Sequence, residues 1–239
     1  MGGGIIKLRL LENNRKEKKW EKMTMEILID SIIGVGQNII VFLFIPFIWW
    51  VIKYRKTENF FKFVGLNRPR LKSAIWSIAL FAVIYVVIFE VDILQFFVDD
   101  ISFQAMADNS ESMQDSHLKG MGFLALLPAF FTNFIANGFC EEVLFRGFIL
   151  QRLKRITGVG GAIILQGVLF GVMHNLLYLF AGIPVTPLFH IGMLIATSIP
   201  GILCGILNEK VFDENSIVPS ILLHGFNNYI GSIRMAFML

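Results

Sequence analysis

Read on its own, the chain is an all-α polytopic membrane protein, with about six transmembrane helices around a buried polar pocket. Three observations carry that expectation. The 239 residues are 55% hydrophobic with a mean hydropathy of +0.67, whereas soluble domains lie nearer ~45–50% apolar. Several apolar runs reach the ~20 residues that a helix needs to cross a bilayer. Residues able to do chemistry sit inside three of those runs rather than between them.

The elements follow in order. Residues 1–24 form a polar basic segment, and 25–239 a single transmembrane domain. The first span is expected from Ile27 to Ile52, with Trp49 and Trp50 as an interfacial belt at its end. A basic loop, Lys53 to Lys72, precedes the second span, Ser73 to about Leu94. An acidic loop with Asp99, Asp100, Asp108, Glu111 and Asp115 follows, and His117 in it is expected to be solvated. The third span runs from Gly122 to Leu150, and Arg152, Lys154 and Arg155 are expected in a short basic loop after it. The fourth runs from Gly158 to Phe180, with a tight turn at Ala181 to Pro187. Leu188 to Leu207 is the fifth, Asn208 to Asn215 a polar loop, and Ser216 to Leu239 the sixth.

Charge sets the expected orientation. The positive-inside rule puts loops 53–72 and 152–155 in the cytoplasm, and two spans separate them, so they agree. The seven Lys and Arg of residues 1–24 do not agree, since one span must divide them from loop 53–72. A true start at Met23 or Met25, with residues 1–22 not native, removes the conflict. Mass spectrometry of the natively expressed chain that found residues 1–22 would overturn that reading. A formal net charge of +3 gives no reason to expect nucleic acid. Membrane lipid is an expected partner.

The third span is where an apolar helix does something costly. It carries Glu141, Glu142 and Arg146, and each such charge in mid-membrane costs roughly 2.5–3.5 kcal/mol. Glu142 and Arg146 are four apart, with Glu first, the favourable order for a helical ion pair. Glu141 is rotated by about 100° from Glu142, so Arg146 cannot serve both equally. One carboxylate is neutralised and one is spare, and a spare carboxylate in a low-dielectric site can act as a general base.

Two more polar groups sit at mid-helix. The fourth span has Phe170-x-x-x-His174, and the sixth has His224-x-x-x-Asn228 on one helical face. Measured from the expected cytoplasmic ends, Glu141, His174 and His224 lie about 16, 21 and 12 Å deep at the helical rise. Three helices can therefore converge on one pocket. His190, Asn133, Asn137 and Asn175 are expected as hydrogen-bond glue between helices, and Cys140 and Cys204 as small buried residues.

Together, Glu141-Glu142-x-x-x-Arg146, Phe170-x-x-x-His174 and His224-x-x-x-Asn228 resemble the motifs of the CPBP family of intramembrane proteases, which contains the type II CAAX prenyl endopeptidases and the bacterial Abi proteins. The likeness covers about residues 120–230, and Phe63-Val-Gly-Leu66 in the basic loop shares the family layout. It implies an endopeptidase acting on a membrane-associated peptide or protein substrate. Glu141 would activate water with help from His174, while His224 and Asn228 would stabilise the oxyanion. Glu142 and Arg146 would be structural support or substrate contacts. No cofactor is committed. If zinc were present, Glu141, His174 and His224 would be its ligands, although the His-Glu-x-x-His helix of many zinc proteases is absent from the sequence.

The alternative is a bacteriocin self-immunity protein that captures a peptide without cutting it. A transporter predicts matching polar sites in both halves. The first span offers Asp30, Gln37 and Asn38, and the second only Glu90 and Asp92 near its outer end, which disfavours that class. Residue usage rich in Ile, Lys, Asn and Phe points to a bacterial plasma membrane.

Overall fold

The computed structural model describes residues 2–91, 96–109, 118–211 and 216–237, with the side chains of 2–23, 81, 84–91 and 107 set aside. Expectations for Asp92, Glu111, Asp115, His117, the end of the second span and residues 212–215 of loop 208–215 fall outside the described residues. So do the side chains of Glu90 and of the basic N-terminal segment.

Every described element is helical. Helix α1 is Gly2–Lys53, α2 Phe60–Phe63, α3 Leu71–Val91 and α4 Asp100–Asp108. Helix α5 covers residues 122–150. It opens as a tight 3-10 turn at Gly122–Ala125 and then alternates between α and wider π geometry. Helix α6 is Gln151–Phe180, α7 is Pro187–Ile206 and continues as a π segment at Leu207–Val211, and α8 is Val218–Ala236.

Among the described residues three stretches are long and apolar enough to cross a bilayer: Thr24–Lys53, Gly122–Phe180 and Pro187–Val211. The second holds both the third and the fourth expected spans, joined without the expected loop. Arg152, Lys154 and Arg155 lie in helix, and the chain turns at Gly158, whose φ of 70° and ψ of 175° are not helical. Only glycine adopts that conformation without strain, so the bend falls there and not at the charges. The hairpin it forms brings the Phe145 and Phe170 rings to 5.0 Å.

Close approach between helices depends on glycines. A Cβ on Gly138 would sit 2.6 Å from Gly225 Cα, so α5 and α8 cross backbone to backbone. At the other end of α5, a Cβ on Gly147 would run into the Val64 carbonyl. Val64 is fully buried with Phe63 against Val143, Ile217 and Ile221. The segment is tied further by Ile217 N–H donating to Gly65 O (2.9 Å) and Ser216 Oγ to Asn67 O (2.7 Å). The Phe63-Val-Gly-Leu66 segment is thus a wedge that locks α5 to the start of α8. At the opposite end, Ser102 and Thr186 exchange hydroxyl contacts, and Thr186 donates to Asp99, clasping α4 to the N-cap of α7.

Candidate active site

One turn of true α-helix, Cys140–Glu142, lies between the π segments Phe130–Phe139 and Val143–Leu150. Wide turns of this kind are frequent at functional sites. On that turn Glu142 is wholly buried and Glu141 is 8% exposed. Arg146 Nη1 lies 2.7 Å from Glu142 Oε1, the i, i+4 pair that the spacing predicts. Arg146 Nη2 donates to Gly201 O of α7 at 3.1 Å, and its guanidinium stacks 4.7 Å over the Phe170 ring of α6. A single side chain therefore ties together three helices, and its charge is matched by Glu142.

Helix α8 supplies the rest. The Gly138–Gly225 crossing sets His224 beside the two carboxylates. Its Nδ1 lies 3.0 Å from Glu142 Oε1 and its Nε2 3.9 Å from Glu141 Oε2. Glu142 accepts, so Nδ1 carries the proton and Nε2 keeps its lone pair. That lone pair receives Asn228 Nδ2 at 3.1 Å. Glu141 Oε2 has no hydrogen-bond partner although it is buried. Glu142 Oε2 is likewise unbonded, so the two carboxylates differ in that Arg146 pairs with Glu142.

His174 enters from α6 through an aromatic hub. Its ring is 4.5 Å from Phe170, and His224 is 5.7 Å from the same ring on centroids. His174 Nδ1 donates to Phe170 O at 2.8 Å, which leaves Nε2 as the acceptor. Glu141, Glu142, Arg146, His224 and Asn228 thus form one contiguous polar chain, and His174 joins it across Phe170 rather than by a hydrogen bond to Glu141. A small apolar cavity of about 50 Å³, lined by Phe170, Leu203, Cys204, Leu223 and His224 among others, adjoins them.

Among the described residues no group of three His, Cys, Asp or Glu converges as metal ligands. His190 and Asn175 pair with each other, Nδ1 donating to Oδ1 at 2.7 Å, which is the helix-to-helix glue expected of them. Cys140 and Cys204 are buried free thiols.

Gln166 was missed. It is fully buried and donates to Gly201 O at 2.8 Å, the same carbonyl that Arg146 uses. A glutamine inside the apolar run 158–180 was the available signal. At the basic end, Arg152 is caught between the Phe63 and Phe148 rings at 4.2 and 4.4 Å. Lys154 and Gln151 both bind Glu209, at 2.5 and 2.7 Å.

No curated protein and no solved structure matches the chain. Residues 123–230, the span that carries all three motifs, match the family described as type II CAAX prenyl endopeptidase Rce1-like.

Proposed function

We propose that the chain is an intramembrane endopeptidase that hydrolyses a peptide bond of a membrane-associated peptide or protein with water activated by Glu141. The observation that carries the reading is the pair of adjacent carboxylates in opposite states. Glu142 is bonded by Arg146 and His224, while Glu141 Oε2 is buried and unbonded. Each carboxylate keeps an unbonded Oε2, but Glu142 is tied through Oε1 to the Arg146 charge and the His224 ring, which leaves Glu141 as the carboxylate without a neutralising partner.

Glu141 takes a proton from water, and the resulting hydroxide oxygen attacks the scissile carbonyl carbon. Asn228 Nδ2 is a ready donor to the oxyanion. His224 Nε2 is a second donor when it carries a proton, and the bond from Nδ1 to Glu142 fixes the ring for that role. Collapse breaks the C–N bond, and the proton held by Glu141 passes to the leaving amine. His174 Nε2 is the remaining acceptor for holding the water. Glu142 and Arg146 hold the site together. In the proposed orientation, loops 53–72 and 152–155 face the cytoplasm of a bacterial cell, supported by their Lys and Arg content. The peptide-capture alternative draws nothing from the family match, which is to proteases.

The test is comparative peptidomics of membranes holding the unsubstituted chain or Glu141→Gln, followed by reconstitution with each candidate substrate. Product peptides should appear only with Glu141 present. A substrate that is bound but never cut would replace hydrolysis with capture.

A further inference from the structure

A second polar region lies in the membrane-spanning part, away from the Phe170 hub. Between α1 and α5 there is an open groove of about 380 Å³, lined by Asp30, Ser31, Gly34 and Asn38 on one side and by Thr132 and Asn137 on the other. The α1 residues recur at positions 30, 31, 34 and 38, so they form a single stripe on a helix whose other faces are apolar. Polar side chains between membrane helices ordinarily bond across the interface. Here they do not. Ser31 Oγ donates to Ile27 O, Asn38 Nδ2 to Gly34 O and Asn137 Nδ2 to Asn133 Oδ1, each within its own helix at i, i+4. A Cβ placed on Gly34 would meet nothing within 4 Å. The two packed helices therefore leave a local cleft in which these polar groups sit beside Ile27 and Ala136, many times larger than the ~10–15 Å³ that one water requires.

The groove leads to the chemistry. Asn137 precedes Glu141 by four residues, one helical turn or about 6 Å along α5. Hydrolysis inside a bilayer consumes water that lipid does not supply. Asp30 lies 23 residues before Lys53 on a continuous helix, roughly 35 Å at 1.5 Å per residue, so the groove opens toward the face opposite the basic loop.

The geometry points to the α1–α5 groove as a hydrated channel that delivers water to Glu141 from the side opposite the basic loops. Its catalytic consequence rests on the protease reading, while its hydration does not. The occupant is solvent, not substrate.

Thiol accessibility tests it in lipid vesicles. Gly34→Cys, Asn38→Cys and Thr132→Cys are made singly in a Cys140→Ala/Cys204→Ala background and treated with a charged, membrane-impermeant thiosulfonate present on both sides. Ile40→Cys, at a side chain 67% exposed on the apolar surface of α1, is the lipid-facing control, and Thr57→Cys in the exposed loop shows that the reagent is active. The groove thiols should react about tenfold or more faster than the control, as ionisation in water requires. Reactivity no greater than that of Ile40→Cys overturns the channel. Gly34→Phe, which fills the groove without a clash at Cβ, should lower kcat about tenfold with KM unchanged. A raised KM with unchanged kcat would make the groove a substrate path and overturn the solvent assignment, as would no change in either constant. If the unsubstituted chain cleaves nothing, the protease reading fails and the thiol rates alone decide hydration.

Discussion

His224 is bonded to Glu142, at 3.0 Å through Nδ1, and stands only at ion-pair distance, 3.9 Å, from Glu141. The carboxylate proposed as the base is therefore not the one that orients the imidazole. Glu142→Gln keeps an acceptor for His224 but removes the charge that matches buried Arg146, so it should give less folded protein than the unsubstituted chain. The folded fraction should also lose turnover, because the carboxylate that orients the His224 ring is gone, which turnover per folded molecule in detergent or vesicles would show.

The buried pair has a separate cost. Glu142→Ala and Arg146→Ala each strand a buried charge, a loss of roughly 3–5 kcal/mol, and should reduce the yield of folded protein. Glu142→Gln with Arg146→Met should recover more folded chain than either alanine variant. Equal yields by fluorescence-detected size exclusion would mean that the 2.7 Å contact carries no stability.

Chemistry and support separate in the next pair. Glu141→Gln should leave almost no turnover and full folding. Asn228→Ala should retain a trace, since losing one oxyanion donor costs about 10²–10³ in kcat. Cys140→Ser should remain active, and an inactive but folded Cys140→Ser would move the nucleophile from water to sulfur. Activity should survive prolonged chelation. Stoichiometric zinc by elemental analysis, with activity lost on its removal and restored on its return, would recast Glu141 as a ligand.

Backbone crossings offer a test that touches no polar group. Gly225→Ala puts a methyl against the Phe134 ring at 2.8 Å, and Gly138→Ala puts one against Gly225 Cα at 2.6 Å. The second has only backbone to push, so it should cost more, in the ~1–3 kcal/mol range of overpacking, and should move His224 away from Glu142. Thermal unfolding would rank the two variants.

The clasp at the other end is sensitive to acid. Hydrogen bonds from Thr186 and then from Ser102 hold the Asp99 carboxyl below its ordinary value of 3.8. Its contribution to stability is complete above 3.8 and is lost as pH falls through the lower folded value. Hydrogen exchange across residues 96–109 should therefore rise only below that pH. Thr186→Val should show the raised exchange already at neutral pH.

The parts of this site that a reader of the sequence can find are the local ones. Glu142 and Arg146 announce their pairing by a four-residue spacing, and Glu141 announces its independence by being next door. The convergence of Phe170, His174, His224 and Asn228 was legible from motifs and depth. What stayed hidden is recognition by backbone. Gly201 O collects Arg146 and Gln166, yet a carbonyl has no letter in the sequence. Nor does anything mark Gly138 and Gly225 as partners among 21 glycines. The bend was misread for an electrostatic reason. Arg152, Lys154 and Arg155 look like a loop, but they stay helical because two rings and a glutamate hold them, and the chain turns at Gly158 instead.

Arg146 binds Glu142, Gly201 O and the Phe170 face together, and Glu141 takes no share in that load. Loss of function in descendants of this chain should therefore leave an uneven record. A lineage that stopped cutting peptides and kept only the scaffold could discard Glu141 at once, at no expense to folding. Glu142 and Arg146 could be lost only together. Inactive relatives should be recognisable by an intact second glutamate and arginine beside a drifted first glutamate.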